Sequence, residues 1–359
     1  MCHADPSGGG VLTAYGRAQG DLLLRTHYSG QPAGEEAEPD KSAGFLFGAV
    51  EPPEWMMLGG SLRGLALRSW TNGAEPTDRL LLMQADLRAA ISAGRVRAGG
   101  SLGYVHEGAR FAQVTSRAQD NLLSREHWLG YTFAEDAVLV RAGRLNLPFG
   151  NRSLEHTAWV RSATRTDLND AQQHGVAAAY SGEEWRGEAM AILGNFQIGP
   201  DDYRERGWSA FVERAFGTRW VLGASTLGTF ADRDRATRAK LHREAHGLFL
   251  RGAPFEKLVL LAEADVLLRR PEGGELATGW TSMVQVDLEP LQGLHLLATG
   301  ETLRDARPGL STGVGGWLSA WWFFAPHADA RVDALVRDIP TPAGNVRSTA
   351  VLFQLHAFL

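Results

Sequence analysis

The chain has 359 residues, 44% hydrophobic and 21% charged, with a formal net charge of −5. That mild acidity excludes a general nucleic-acid binder, which needs a basic excess. No run of about 18 apolar residues occurs, which excludes a transmembrane helix but not membrane strands that are apolar only at alternate positions.

The start, MCHADPSGGG, lacks the basic, apolar and small-residue order of a signal peptide. An exported protein needs one, so the expectation is a truncated start with the signal upstream of Met1. Cys2 is the only cysteine, so no internal disulfide can form. Residues 1–56 do not alternate cleanly and include the Gly/Pro/acid-rich patch SGQPAGEEAEPDKSAG. They read as a periplasmic or plug-like leader with a flexible acidic loop.

Residues 57–359 read as a β-barrel. A first strand runs from Leu58, where Leu58, Gly60, Leu62, Gly64 and Ala66 alternate with Ser61, Arg63 and Leu65. In LLLMQADLRAAISAGRVRAGGSLGY (80–104), Leu81, Met83, Ala85, Leu87, Ala89 and Ile91 alternate with Gln84, Asp86, Arg88 and Ser92. After Ala93-Gly94-Arg95 the return leg sets Val96, Ala98, Gly100, Leu102 and Tyr104 against Arg97 and Ser101. Legs of about ten residues, period-two alternation and a tight turn are the marks of a membrane-spanning hairpin.

The same unit recurs. Leu129, Tyr131 and Phe133 oppose Glu126, Gly130 and Thr132, and Val176, Ala178 and Tyr180 turn into Ala189, Ala191 and Leu193 opposite Arg186 and Glu188. Leu258, Leu260, Ala262, Ala264, Val266 and Leu268 oppose Lys257, Glu263, Asp265 and Arg269. Val284, Val286 and Leu288 then oppose Asp287 and Glu289, and Ala330, Val332, Ala334 and Val336 oppose Arg331, Asp333 and Arg337. The aromatic run around Trp317, Trp321, Trp322, Phe323 and Phe324 suits either a membrane–water interface or an aromatic core.

These units predict an all-β fold, a transmembrane antiparallel up-and-down barrel of about 16 strands, with short periplasmic turns and long outer loops. The expected long connections lie near 71–78, 107–121, 147–170, 195–206, 231–239, 270–276, 304–311 and 339–346. The C-terminal TAVLFQLHAFL places Val351, Phe353, Leu355, Ala357 and Leu359 on one face, like the closing strand read by the barrel assembly machinery, here residues 349–359.

Charges at alternate positions would face the lumen: Asp86, Arg88, Arg97, Glu126, Arg186, Glu188, Glu263, Asp265, Arg269, Asp287, Glu289, Glu301, Arg331, Asp333 and Arg337. The connection 146–175 is the candidate constriction. It carries Arg144 at its root, then Arg152, Glu155, His156, Arg161, Arg165, Asp167, Asp170 and His174. Arginines on a loop folded into a pore would favour anions, whereas on a solvated loop they only keep it soluble.

The strings VRAGRLNLPFGNRSLEHTAWVR, MQADLRAAISAGRVRAGGSLGY and SLRGLALR resemble the porin-like outer-membrane proteins of Gram-negative bacteria. The resemblance implies an outer-membrane location, lipid and lipopolysaccharide around the wall, small polar solutes as cargo and a homotrimer. Cys2-His3 also resembles the tail of a CxxCH haem-attachment site. On that reading an upstream cysteine completes the pair, Cys2 makes the second thioether link to a c-type haem, and His3 ligates iron. The barrel would then serve electron transfer with a periplasmic cytochrome.

Enzymatic chemistry is not expected. His156, Asp167, Asp170 and His174 lack a fixed metal-ligand spacing, and His242, Glu244 and His246 on one strand face read as a polar lumen-facing row. Three readings stand: a porin-like channel, a barrel with a haem-bearing leader, and a soluble all-β protein.

Overall fold

The computed structural model describes residues 11–13, 16, 20, 23–26, 44–104, 122–152, 155, 157–169, 171–197, 201–307 and 309–359. The strands are β1 (Met56–Thr71), β2 (Thr77–Ala93), β3 (Val96–Tyr104), β4 (Leu122–Leu123), β5 (His127–Phe133), β6 (Val138–Leu145), β7 (Gln173–Ser181), β8 (Trp185–Gly194) and β9 (Arg206–Phe216). They continue with β10 (Trp220–Ala231), β11 (Leu241–Phe255), β12 (Leu258–Pro271), β13 (Ala277–Leu291), β14 (Leu294–Arg304), β15 (Gly313–Ala325), β16 (Ala328–Thr341) and β17 (Gly344–Phe358).

Each strand pairs antiparallel with its chain neighbour, and β1 pairs with both β2 and β17, so the sheet closes on itself. β4 and β5 both pair with β3 and are two pieces of one wall strand, interrupted at Ser124–Glu126. The result is a closed antiparallel barrel of sixteen staves. Closure leaves no unpaired edge, which is what allows a sheet to stand in hydrocarbon.

The wall is polarised as the alternation requires. Outside stand Leu62 (55% exposed), Leu318 (66%), Leu129, Val140, Leu248, Val284 and Val332, and inside stand buried Glu188, Glu263, Asp265, Glu301, Arg331 and Asp333. Aromatic side chains lie on the outer face near both strand ends, with Phe133, Trp185, Phe216 and Trp220 at the short turns and Trp70, Trp208 and Trp280 at the loop end. That is the girdle arrangement of a membrane barrel.

Four expectations change. A bulge on β2 opposite Arg63/Gly64 inserts Met83, so the parity of β2 flips there. Ala85, Leu87, Ala89 and Ile91 keep the outer face, but above the bulge Leu82 and Leu80 take it. Leu81 pairs with buried Leu65, and Met83 lines an inner cavity. Second, the connection expected at 339–346 shrinks to Pro342–Ala343, because β16 and β17 pair as far as Thr341 and Gly344.

Third, His242, Glu244 and His246 share the outward parity of exposed Leu248, while Arg243 and Ala245 point inward and are buried. The histidines reach Glu244 at 3.5 and 3.1 Å on the outer surface, not in the lumen. Fourth, the aromatic run splits across the wall. Trp317 is buried inside, Trp321 donates its indole N–H to Asp329 at 2.8 Å, and Trp322 is exposed.

Of the leader, Val11 is buried beside Gly59, and Thr26 docks on the short-turn end. The Thr26 N–H donates to the Phe323 carbonyl at 3.0 Å and its hydroxyl to the Gln292 carbonyl at 2.9 Å. Cys2 and His3 lie outside the described residues.

Candidate functional site

The connection between β6 and β7 does not stand out in solvent. It enters the barrel and runs round the inner wall. Apolar side chains drive it there: Leu145, Leu147 and Phe149 are buried against Leu227 of β10, Ala245 of β11 and Leu267 of β12. Ala158 and Val160 pack on Met283 and Trp317. A short helix, α1 (Trp159–Thr164), lies against β12, β13 and β14 and ends at Arg165, whose φ is 55°.

Polar tethers fix its course. The Ser209 hydroxyl of β9 donates to the Pro148 carbonyl at 3.0 Å. On β12, Glu263 accepts the Asn151 N–H at 2.8 Å and pairs with Arg161. Gly150 turns there with φ +59°, pressed so close to Glu263 and Arg161 that a Cβ would collide with both. On β14, Glu301 accepts the Trp159 N–H at 2.7 Å and an N–H of Arg337 at 2.6 Å. On β16, Arg331 pairs with Glu155 at 2.7 Å and with Asp333 at 2.7 Å.

A second latch ties the loop to the outer connections. Arg165 pairs with Glu205 at 2.7 Å and Asp234 at 2.6 Å, and Arg243 forks onto both Glu205 oxygens at 2.9 Å while donating to the Thr164 carbonyl. Burial alone would raise the Glu205 carboxyl, but Arg243 and Arg165 hold it well below the usual range. Burial likewise opposes ionisation of Asp234, yet Arg165 and the Thr237 N–H hold it down to about 2. Burial lowers Arg165, and its two carboxylates more than offset that.

The predicted constriction residues therefore separate. Glu155, Arg161 and Arg165 are consumed in ion pairs with the wall or with neighbouring loops, and Arg152 lies over the Phe211 ring at 4.1 Å. Arg144 is buried at the rim, where it donates to the Arg125 carbonyl at 3.0 Å and to Asn195 at 2.8 Å. On the register it is flanked by His127 and His174, whose rings approach to 3.2 Å. Asp167 lines a cavity. His156 and Asp170 lie outside the described residues.

Of the predicted lumen charges, Arg97 sits at the short-turn rim against Asp136 at 3.2 Å, and Asp287 holds His295 at 3.1 Å. Glu126 accepts from Asn146. Asp86 and Arg88 stand at the wall of the cavity that Asp167 faces.

That cavity, of about 270 Å³, separates the loop from the β17–β1–β2 wall. Arg63, Arg88 and Arg125 approach from the wall, Asn146, Asp167, Asn169 and Gln172 from the loop, and Val11, Leu12, Phe358 and Leu359 also line it. Asp86, buried behind the arginines, serves two of them, at 2.7 Å to Arg125 and 3.4 Å to Arg88. Sequence reasoning did not single out Arg63 or Arg125. Arg63 stood on the polar face of the first strand, a usable signal, whereas Arg125 falls in the break between β4 and β5, where alternation says nothing.

No family model and no curated protein matches the chain. Solved structures do match its fold. OmpT, an outer-membrane protein of Vibrio cholerae in its trimer form, aligns at TM-score 0.63 and 11% identity over 85% of this chain and 99% of that one. The anion-selective porin from Comamonas acidovorans aligns at 0.63 and 11% over 85% and 99%. The outer-membrane channel DcaP of Acinetobacter baumannii aligns at 0.61 and 13% over 85% and 97%. The chain has the closed β-barrel fold of porins.

Proposed function

We propose that the chain is an outer-membrane channel for passive or selective diffusion of small polar solutes, with no catalytic step. The observation that carries this reading is the inverted polarity of a closed barrel, apolar outside and charged inside, whose long loop narrows the lumen without filling the β17–β1–β2 side. An apolar outer band is stable in lipid and would aggregate in water, which disfavours a soluble all-β protein. The passage runs past Arg63, Arg88 and Arg125, so the wall arginines, not the tethered loop arginines, set charge preference. Residues 1–56 belong to this reading as a periplasmic leader, and a homotrimer, the form in which one OmpT structure is described, as its assembly.

Reconstitution of the full chain into planar lipid bilayers tests it. Stepwise, ohmic current in potassium chloride is expected, with a reversal potential under a salt gradient that moves toward cation preference in R63Q/R88Q. A heat-modifiable, membrane-inserted barrel that carries no current would sink the channel.

A further inference from the structure

The arginine cavity has more hydrogen-bonding capacity than the protein uses. Arg125 is 4% exposed, yet its Nε–H has no partner among the described residues, and the same holds for the Nε–H groups of Arg63 and Arg88. Leaving buried donors unpaired costs free energy that a bound acceptor recovers. Across the cavity Gln172 donates its amide N–H to Asn146 at 3.0 Å, while its Oε1 is buried without a partner. The cavity thus offers spare cationic donors on the wall and a spare acceptor on the loop.

The charges are arranged to match. On the wall, Asp86 accepts from Arg88, Arg125 and the Gln84 amide, and Arg63 meets His356 Nδ1 at 3.3 Å. His356 itself is held by Asp329 at 2.8 Å. On the loop side Asp167 accepts the Asn169 N–H at 2.9 Å, and Asn146 donates to Glu126 of the wall. Cationic donors therefore face acidic and amide acceptors across one narrow space. A bare cation would meet guanidinium groups, and a simple anion would leave the loop acceptor unmatched.

Resting on the channel reading above, we infer that this cavity is a saturable binding site for small carboxylates that also carry a hydrogen-bond donor, the amino- and hydroxy-carboxylates. The carboxylate takes the spare N–H groups of Arg63, Arg88 and Arg125, since guanidinium and carboxylate match in geometry. The ammonium or hydroxyl donor turns to Gln172 Oε1 and Asp167. Occupancy slows passage, so such a solute blocks the current of a simple salt as its concentration rises.

The test adds L-lactate, L-glutamate, propionate or ethanolamine to the full-length channel conducting potassium chloride. Lactate and glutamate should reduce the current along a saturating curve, propionate about tenfold more weakly, and ethanolamine not at all. R63Q and R88Q should each raise the half-blocking concentration about tenfold, with R63K recovering part of the loss and R219Q, at a short turn, changing nothing. Current that only follows bulk conductivity, equal block by propionate and lactate, or unaltered block in R63Q and R88Q would overturn the site. If no salt current flows, the channel reading fails by itself. Calorimetry of lactate with the detergent-solubilised, heat-modifiable barrel then decides: saturable heat lost in R88Q supports the site, and no heat removes it.

Discussion

Between β5 and β16 the inward side chains of the wall meet the 146–172 loop in an interlocked interior, whereas on β17, β1 and β2 they face a cavity. The packed side is built like a soluble protein core, with Leu145, Leu147 and Phe149 of the loop seated on Leu227, Ala245 and Leu267 of the wall. Its charges are buried in pairs, as in Arg141 with Glu188 at 2.7 Å and Arg161 with Glu263, or shared, as in Arg331 with Glu155 and Asp333. The cavity side instead sets Arg63, Arg88 and Arg125 about open space, with buried Asp86 serving two of them. One barrel therefore spends most of its wall on holding a loop still and the rest on presenting charge. The difference teaches that a charged lumen residue has two meanings, and that its partners, not its parity, say which.

Removing a charge from the packed side should have the largest effect. Arg161 is the cation paired with Glu263 on the inner face of β12, and both side chains are fully buried. R161M would leave the buried Glu263 carboxylate without its cation, a loss of about 3–5 kcal/mol in chemical unfolding of the detergent-solubilised barrel. Open-channel noise should rise with it, since the loop is untied. R88Q, on the cavity side, should change stability by less than about 1 kcal/mol while altering ion preference. Equal stabilities of the two variants would break the comparison.

A smaller loss should follow from opening the apolar half of the loop packing. Leu147 is 2% exposed inside the barrel. L147A leaves a cavity that β-strands closed by hydrogen bonds cannot collapse into, so a cost of about 3 kcal/mol is expected in the same unfolding measurement. A value near zero would mean that the loop's apolar residues merely line the lumen.

Much of this architecture was legible in the sequence, and the reason is physical. Period-two alternation is imposed by the lipid on one side and water on the other, so Leu129, Tyr131 and Phe133 announce their face whatever lies next to them. Where the backbone breaks the period, as at Met83, the reading of Leu81 and Met83 fails, because a bulge leaves no mark in composition. His242, Glu244 and His246 mislead for another reason: near the loop end the outer face meets headgroups and water, so polar residues there need not point inward. The loop's charges were visible, but not its route. Arg161, Glu155 and Arg165 find partners on β12, β16 and the outer connections, placed only when the barrel closes.

The outer latch sharpens the comparison through pH, with the smallest effect of the three. Asp234 titrates at about 2 in the folded chain and would titrate near 3.8 once released from Arg165. A depressed carboxyl contributes stability that is complete above its released value and fades as pH falls through its folded value. Glu205, depressed further by Arg243 and Arg165, behaves in the same sense. The latch should therefore hold from neutral pH down to about 4 and loosen between about 4 and about 2. Channel records at stepped pH should show brief closures multiplying only in that window. D234N, which keeps the side chain's size but removes its charge, should bring those closures to neutral pH, while leaving the R161M-sensitive tether intact. Closures that begin instead near pH 6 would shift the control to a histidine and away from the loop latch, since neither Asp234 nor Glu205 takes up a proton there.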